Sequence, residues 1–403
     1  MEAPEEAPME EGPRSSLLGD PNLYVIFSVT LTAVLGVSSI TPALPKVMRA
    51  LDTGPGSIGL LITAFTLPGL VLTPLLGVLA DRFGRRVVLV PSLLLFALAG
   101  TACAFARDFS LLVGLRFVQG MGAASLGSLN VTLIGDLYEG TRRAAAMGYN
   151  ASVLSVGTAS YPAIGGALAT LAWFYPFALP ALTLPAALLV LFGLDNPEPE
   201  SEQTLKEYLE RVVEILRDRR VVGILTATVV TFVLLYGSYL TYFPLLMDAS
   251  FGLSSLYIGL ILSSMSLTTA LTSAQIGRLA LHFRPPVMVA WGFGLYGAGL
   301  LVMALVPVAW MLLLPAVLFG VGHGLNFPNL QTLLAELAPL EYRGAFFSVN
   351  GLALRGGQTA GPLVMGLLYA AAGSGAPFYG GAILALIMVP AALFLLGTIR
   401  PDG

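Results

Sequence analysis

Twelve stretches of this chain are apolar for long enough to cross a lipid bilayer, and that removes most folds from consideration. They cover residues 23–48, 57–79, 87–105, 110–134, 144–169, 173–194, 221–247, 255–280, 287–306, 310–334, 345–371 and 377–397. Backbone amides find no water in the hydrocarbon layer, so each stretch must satisfy its own hydrogen bonds as a helix. A spanning β-barrel would instead show short alternating segments. Composition agrees: 56% hydrophobic residues and a mean hydropathy of +0.83 lie far from soluble usage. The expected fold class is an all-α membrane protein with twelve transmembrane helices.

An even number of spans puts both termini on one side. Of the 20 Lys and Arg, only Lys46, Arg49 and Arg107 fall in loops on the other side, and Arg116 and Arg355 fall inside spans. All the others lie on the side of the termini. Positive charge marks the cytoplasmic side, so both termini are expected in the cytoplasm and the chain in a cell membrane, here a bacterial inner membrane. Residues 1–20, rich in Glu and Pro, read as a disordered cytoplasmic tail rather than a signal peptide. Cys103 is the sole cysteine, which excludes an internal disulfide and a cysteine metal site. Nothing in the composition suggests nucleic-acid binding.

The one long polar interruption is DNPEPESEQTLKEYLERVVEILRDRR, residues 195–220. Leu205, Leu209, Val212, Val213 and Leu216 share a helical face, so a linker helix lying on the membrane surface is expected. It separates residues 21–194 from 221–400, six spans each. The halves repeat at an offset of 200: Ile58-Gly59-Leu60 matches Ile258-Gly259-Leu260, Asn150 matches Asn350, and Gly157, Pro162 and Gly166 match Gly357, Pro362 and Gly366. Six spans per half gives both halves the same orientation, a parallel repeat about an axis along the membrane normal. Two pseudo-symmetric six-helix bundles are therefore expected.

Charge is scarce, at 11% of residues, yet GVLADRFGRR at 77–86 packs Asp81, Arg82, Arg85 and Arg86 into six positions around Gly77 and Gly84. The corresponding GRLALHFRPP at 277–286 keeps the first glycine and loses the aspartate to Leu281. GVLADRFGRR resembles the signature of the major facilitator superfamily between the second and third spans. LRFVQGMGAA, residues 115–124, resembles the fourth-span motif of proton-coupled members. LGVSSITPALP, 35–45, is similar to the first-span pattern of twelve-helix drug exporters. GTASYPAIGG, 157–166, resembles the fifth-span antiporter motif, with Tyr161 in place of its usual glycine, while GQTAGPLVMG at 357–366 keeps Gly361-Pro362. The resemblance covers essentially the whole chain.

It implies a conformational latch. Gly77 would let the second span approach a neighbour, and Asp81 would meet the positive N-terminal end of the eleventh span, just after Arg343. Arg85 would pair with Asp136. Such contacts form only with the cytoplasmic side closed. Arginines alone would hold the loop inside, but they leave Asp81 and the two glycines unexplained.

Charge inside a span is costly and usually functional. Arg116, Gln119, Ala123 and Asn130 share a face of the fourth span and are expected to line a polar cavity, with snorkelling of Arg116 to the outer interface as the alternative. Arg355 and Gln358 lie one turn apart in the eleventh span, and His323 and Asn326 one turn apart in the tenth. Tyr24, Tyr236, Tyr239 and Phe327 would suit a greasy ligand. No Asp or Glu lies near the middle of any span, so the buried arginines imply either an anionic substrate group or backbone carbonyls as partners. The candidates for proton coupling are Arg116, His323, Asp136 and Glu336, with a neutral packing histidine as the alternative for His323. Gly157, Pro162, Gly166, Gly357, Gly361 and Pro362 form the helix-packing motif.

No enzyme is indicated. WGFGLYG at 291–297 contains GxGxxG inside an apolar helix, where helix packing explains it better than dinucleotide binding. There is no GxxxxGK[ST], no nucleophile–base motif, and His282 and His323 lack metal spacing. No metal or cofactor is expected. The expected function is proton-coupled export of an amphipathic small molecule by a monomer, through rocking alternating access. Two alternatives stand: a transporter or flippase of an anionic amphiphile or lipid without proton antiport, and a non-transporting membrane sensor or scaffold.

Overall fold

A computed structural model describes residues 17–194, 214–339 and 343–397. Ten of its helical segments meet the length and hydropathy needed to span a bilayer: α1 (Pro21–Ala50), α2 (Pro55–Phe83), α3 (Arg85–Cys103), α4 (Phe109–Leu137), α6 (Tyr175–Gly193), α7 (Arg219–Phe251), α8 (Ser255–Ser273), α9 (Pro285–Leu305), α10 (Ala309–Leu337) and α12 (Ala376–Leu396). Two more, α5 (Gly140–Leu171) and α11 (Arg343–Ala372), are unbroken α-helices of 32 and 30 residues but carry more Gly, Ser, Thr and Asn. These two are each other's counterparts at the offset of 200. Their weaker hydropathy has a structural cause, because both run between the two halves rather than facing lipid all round. The expected linker helix falls mostly on residues outside those described; of its apolar face, only Leu216 lies within them, and it is exposed.

Local chemistry sets the breaks. Gly84 takes a φ of 92°, which separates α2 from α3 in one residue and strains any side-chain-bearing substitute. Thr41-Pro42-Ala43 forms a 3₁₀ turn that bends α1. In α7, Leu234–Tyr242 widens into a π-helical stretch. There the Thr241 hydroxyl donates to the Tyr236 carbonyl at 2.6 Å, taking up an acceptor in the irregular stretch.

The described chain ends all emerge on one face, called here the terminal face, and the opposite face is the distal one. α1–α6 pack into one bundle and α7–α12 into another, and the halves meet chiefly where α2 crosses α11 and α5 crosses α8. These crossings are copies of each other. A Cβ added at Gly59 would lie 3.1 Å from Pro362 of α11, and one added at Gly259 would lie 2.9 Å from the Pro162 carbonyl carbon of α5. Glycine on one side and proline on the other let the backbones touch, the small-residue packing by which helices associate in lipid.

The contacts joining the halves lie at mid-depth or toward the distal face. Thr63 donates to the Thr359 carbonyl at 3.1 Å, and the Thr359 and Thr66 hydroxyls lie 3.1 Å apart. Tyr242 donates to the Pro55 carbonyl at 3.2 Å, and Arg49 pairs with Asp248, closing the distal ends of α1 and α7. Toward the terminal face the same helices part. α2 touches α11 at Gly59, Thr63 and Gly69, but a Cβ at Gly77 would meet no atom within 4 Å. The molecule is closed distally and open as a cleft on the terminal face. Gly77 is thus not at a helix crossing in this arrangement.

Candidate functional site

The deepest part of the cleft is built by α7, α10 and α11, with α2 facing them. Arg355 lies about 18 Å along α11 from Arg343, near mid-membrane. Its side chain runs against Gly69 of α2, where a Cβ would come within 3.1 Å of Nε. Among the described residues Arg355 has no salt-bridge partner, and it lies within electrostatic reach of the Tyr236 hydroxyl. Gln358, one turn on, is buried with no partner for its Oε1. It sits opposite Leu367, which is exposed toward lipid, so Gln358 faces inward.

Beside these polar groups stands an aromatic wall. His323 stacks on Phe327 with ring planes 1° apart and centroids at 5.8 Å. Phe232 stands edge-on to both, at 6.2 Å from His323 and 5.5 Å from Phe327, and Tyr236 adjoins Phe232 at 6.1 Å. His323 Nδ1 is hydrogen-bonded to the Tyr296 hydroxyl of α9 at 2.7 Å. That bond fixes the ring and ties its protonation to a neighbour that can either donate or accept.

Several residues expected in the cavity lie elsewhere. Arg116 is 1% exposed: its Nε donates to the Leu61 carbonyl at 3.1 Å, Nη1 to Gln119 Oε1 at 2.6 Å, and its face covers the Phe65 ring at 4.2 Å. Of the two kinds of partner the sequence left open, Arg116 takes the backbone carbonyl. Both Arg116 and Gln119 are turned into the first bundle because Gly120 and Gly122 bring α4 hard against α2 and α3. Asn130 is buried between α1 and α5, donating to Thr30 and, at 3.2 Å, to Asn150. Tyr239 is fully buried, stacked on Phe319 at 4.8 Å, so it packs the second bundle rather than lining the cleft. Asn326 is likewise buried, accepting from Thr231 at 2.9 Å. Tyr24 lies in the first turn of α1, 54% exposed, with its hydroxyl donating to the Leu18 carbonyl at 2.8 Å, far from the mid-depth cluster.

Paired polar networks escaped the sequence reading. In the first half Thr30 and Asn130 bond to Asn150 Oδ1, joining α1, α4 and α5. In the second, Thr228 donates to Asn350 at 3.0 Å and Asn350 to Gln331 at 2.7 Å, joining α7, α10 and α11. The Asn150/Asn350 match at the offset of 200 was the signal that could have exposed them.

At the terminal face Arg85 bridges two carboxylates, pairing with Asp81 one turn back on the chain and with Asp136 of α4 at 2.9 Å. The Arg85–Asp136 pair, expected only with this face closed, is thus formed with it open, because both residues belong to the same bundle. Asp81 is held by Arg85 rather than by α11, because the halves are parted here. The side chain of Arg343 falls outside those described. Arg82 is exposed over Phe83, and Arg86 donates to the Leu194 carbonyl at the end of α6. Glu336 is exposed near the end of α10. Tyr138 donates to Asp20 at 3.0 Å; burial first, and then Asp20, hold its phenol far above the usual range, so it stays a donor. The packing glycines are all at crossings: Gly157 meets Leu31 and Val34 of α1 at 3.1 Å, Gly166 meets Ser255 of α8, and Gly357 and Gly361 meet α7 at Val229 and Val233.

Two pseudo-symmetric helical bundles meeting at paired crossings are the architecture of parallel-repeat membrane transporters. The family comparison is specific: the Major Facilitator Superfamily pattern matches residues 26–256 and 239–403, and the chain belongs to that family. It is 25% identical to Multidrug resistance protein 1 of Bacillus subtilis (strain 168) over 350 residues, 86% of this chain and 89% of that one. It is 23% identical to the Quinolone resistance protein NorA of Staphylococcus aureus (strain Mu50) over 352 residues, with the same coverage. The Bacillibactin exporter of Bacillus subtilis is 32% identical over 163 residues, 39% of this chain and 40% of that one. Among solved structures, a POT family transporter in complex with 5-aminolevulinic acid superposes with a TM-score of 0.81 at 14% identity, covering 96% of this chain and 100% of that one. The human organic anion transporter MFSD10 (TETRAN) does so at 0.69 and 20% identity, covering 93% and 99%. At such identities these structures speak to the fold alone.

Proposed function

We propose that this protein is a secondary transporter that exports amphipathic small molecules in exchange for protons, by rocking the two halves about the α2–α11 and α5–α8 crossings. The observation that carries the reading is the mid-membrane cluster of Phe232, Tyr236, His323, Phe327 and Arg355 at the floor of a cleft closed on its distal side. Aromatic walls with few polar groups suit ligands that are greasy at one end. The names of the multidrug, quinolone and bacillibactin relatives support export of small molecules. Charge distribution supports a cytoplasmic terminal face, so the cleft would load from the cytoplasm or the inner leaflet.

In this reading residues 21–194 and 221–400 are the rocking units and 195–220 their cytoplasmic linker. Asp81, now paired with Arg85, would swing to the N-terminus of α11 when the terminal face closes, filling the space beside Gly77. His323, fixed by Tyr296, is the proton carrier most consistent with a mid-membrane route free of carboxylates. Export from cells lacking their own exporters tests the proposal. Cells loaded with ethidium should empty faster when this chain is expressed, and an uncoupler should abolish the gain. Equal efflux with and without the chain, across a panel of amphipathic dyes, would overturn it.

A further inference from the structure

We infer that Arg355, Gln358 and Tyr236 form an anion-recognising subsite that binds the carboxylate of an amphipathic substrate, with Gly69 as the recess that holds the arginine in place. The inference rests on the transport reading above and names the chemistry its site selects.

Three polar side chains on adjacent turns of α7 and α11 lack protein partners among the described residues. Arg355 forms no ion pair, and Gln358 is nine-tenths buried with its Oε1 unbonded. The Tyr236 hydroxyl is within electrostatic reach of the guanidinium, and its ring stands beside Phe232 at 6.1 Å. An unpaired charge and an unpaired amide at mid-membrane are costly. Arg116, as deep in its bundle, differs in that its Nε and Nη1 are bonded to Leu61 and Gln119, leaving only Nη2 without a partner. No carboxylate of this chain lies near mid-span to neutralise Arg355, so the counter-ion must arrive from outside.

Guanidinium presents a planar fork that matches a carboxylate with two parallel hydrogen bonds. The Tyr236 hydroxyl can add one more donor, and so can Gln358 once its amide is turned to present Nε2 in place of the unbonded Oε1. An apolar body attached to that carboxylate would lie along Phe232 and Phe327, whose edge-to-face pair forms the adjoining wall. Gly69 matters because any side chain there would fall within 3.1 Å of Arg355 Nε and push the fork out of position. The subsite is thus shared between the halves, with the charge on α11 and its recess on α2. Parting α2 from α11 at mid-depth would free the arginine to move and would couple release of the anion to rocking.

Binding of matched probes to the protein in nanodiscs tests this: 2-naphthoate, neutral 2-naphthamide and cationic 2-naphthylmethylamine, measured by isothermal titration calorimetry. Wild type should bind naphthoate at least tenfold more tightly than naphthamide, and the amine most weakly. Arg355→Gln should erase the naphthoate preference while leaving naphthamide within about twofold. Arg355→Lys should recover only part of it, because an ammonium cannot form the fork. Gly69→Val keeps the charge and should still cut naphthoate affinity severalfold. A wild type that binds the amide as tightly as the carboxylate, or an Arg355→Gln variant that keeps the preference, would overturn the subsite. Ethidium efflux measured on the same variants separates the two claims. Naphthoate preference lost in Arg355→Gln with efflux intact supports the subsite and leaves the transport reading standing, intact efflux without any naphthoate preference in wild type refutes the subsite alone, and absent efflux in wild type refutes the transport reading alone.

Discussion

Alanine at Gly259 should unbalance the two conformational states, because that glycine meets α5 near the distal ends of the crossing, where the halves would part if the distal face opened. A Cβ there would sit 2.9 Å from the Pro162 carbonyl carbon and nearer still to its oxygen. Non-bonded carbon atoms prefer about 3.5–4.0 Å, so α5 and α8 would have to separate by at least about 0.6 Å. Overpacking of this order costs about 1–3 kcal/mol. The helix-propensity gain of alanine over glycine applies in both states and cancels. The distal-closed population should therefore fall relative to its alternative by about 5- to 150-fold, the range that 1–3 kcal/mol corresponds to. Gly59→Ala, at the pseudo-equivalent crossing, meets Pro362 at 3.1 Å and should shift the balance less. Spin labels at Phe105→Cys, in the distal loop after α3, and Trp310→Cys, in the first turn of α10, both exposed and on opposite halves, would report the change by double electron–electron resonance in a Cys103→Ala background. Gly259→Ala should move weight from the short to the long distance. A folded Gly259→Ala protein with an unchanged distribution, or a larger shift from Gly59→Ala, would refute the reasoning.

Asp81→Asn should express normally yet transport at a small fraction of the wild-type rate, since it weakens the terminal-closed state; wild-type flux in proteoliposomes would reduce the cluster to a topology signal. His323→Gln should flatten the pH dependence of transport, because it removes the imidazole that would carry the proton. Tyr296→Phe should displace that profile without flattening it, because it removes the ring's fixed partner; an unaltered profile in His323→Gln would move proton carriage to Asp136 or Glu336. Asn150→Ala and Asn350→Ala each remove two inter-helix hydrogen bonds, and each should cost about 1–2 kcal/mol in urea unfolding of the nanodisc-embedded protein. Unequal losses would count against equivalent networks in the two halves.

Span existence was legible because the bilayer dictates length and hydropathy. The 200-residue repeat was legible because the glycines and prolines at 59, 259, 162 and 362 face each other across the interface, where larger residues do not fit. The Arg85–Asp136 pair could be expected because both lie at span ends, where a motif fixes the loop geometry. What could not be read was which way a polar residue points. Arg116 and Arg355 look alike in sequence, each a lone arginine followed three residues later by a glutamine. Gly120 and Gly122 draw α4 into its own bundle and bury Arg116, whereas Gly69 opens a recess for Arg355 on the opposing half. Tyr239 and Tyr236 are one turn apart, yet Tyr236 joins Phe232 in the aromatic wall while Tyr239 stacks on Phe319 inside the bundle. The π-helical stretch that rotates one from the other leaves no mark in hydrophobic periodicity.

The central claim, exchange of an amphipathic solute for protons, is most directly tested by reconstituting the purified chain into proteoliposomes containing a pH-reporting dye. A proton gradient is then imposed across the liposome membrane, and a panel of amphipathic probes that includes 2-naphthoate and ethidium is presented. The account predicts that the gradient drives at least one probe to a higher concentration on the proton-rich side, and that adding this probe speeds the collapse of the gradient. Neither effect should occur in liposomes without protein. Concentration of a probe that survives an uncoupler, or a pH trace unaffected by every probe that moves, would contradict proton exchange.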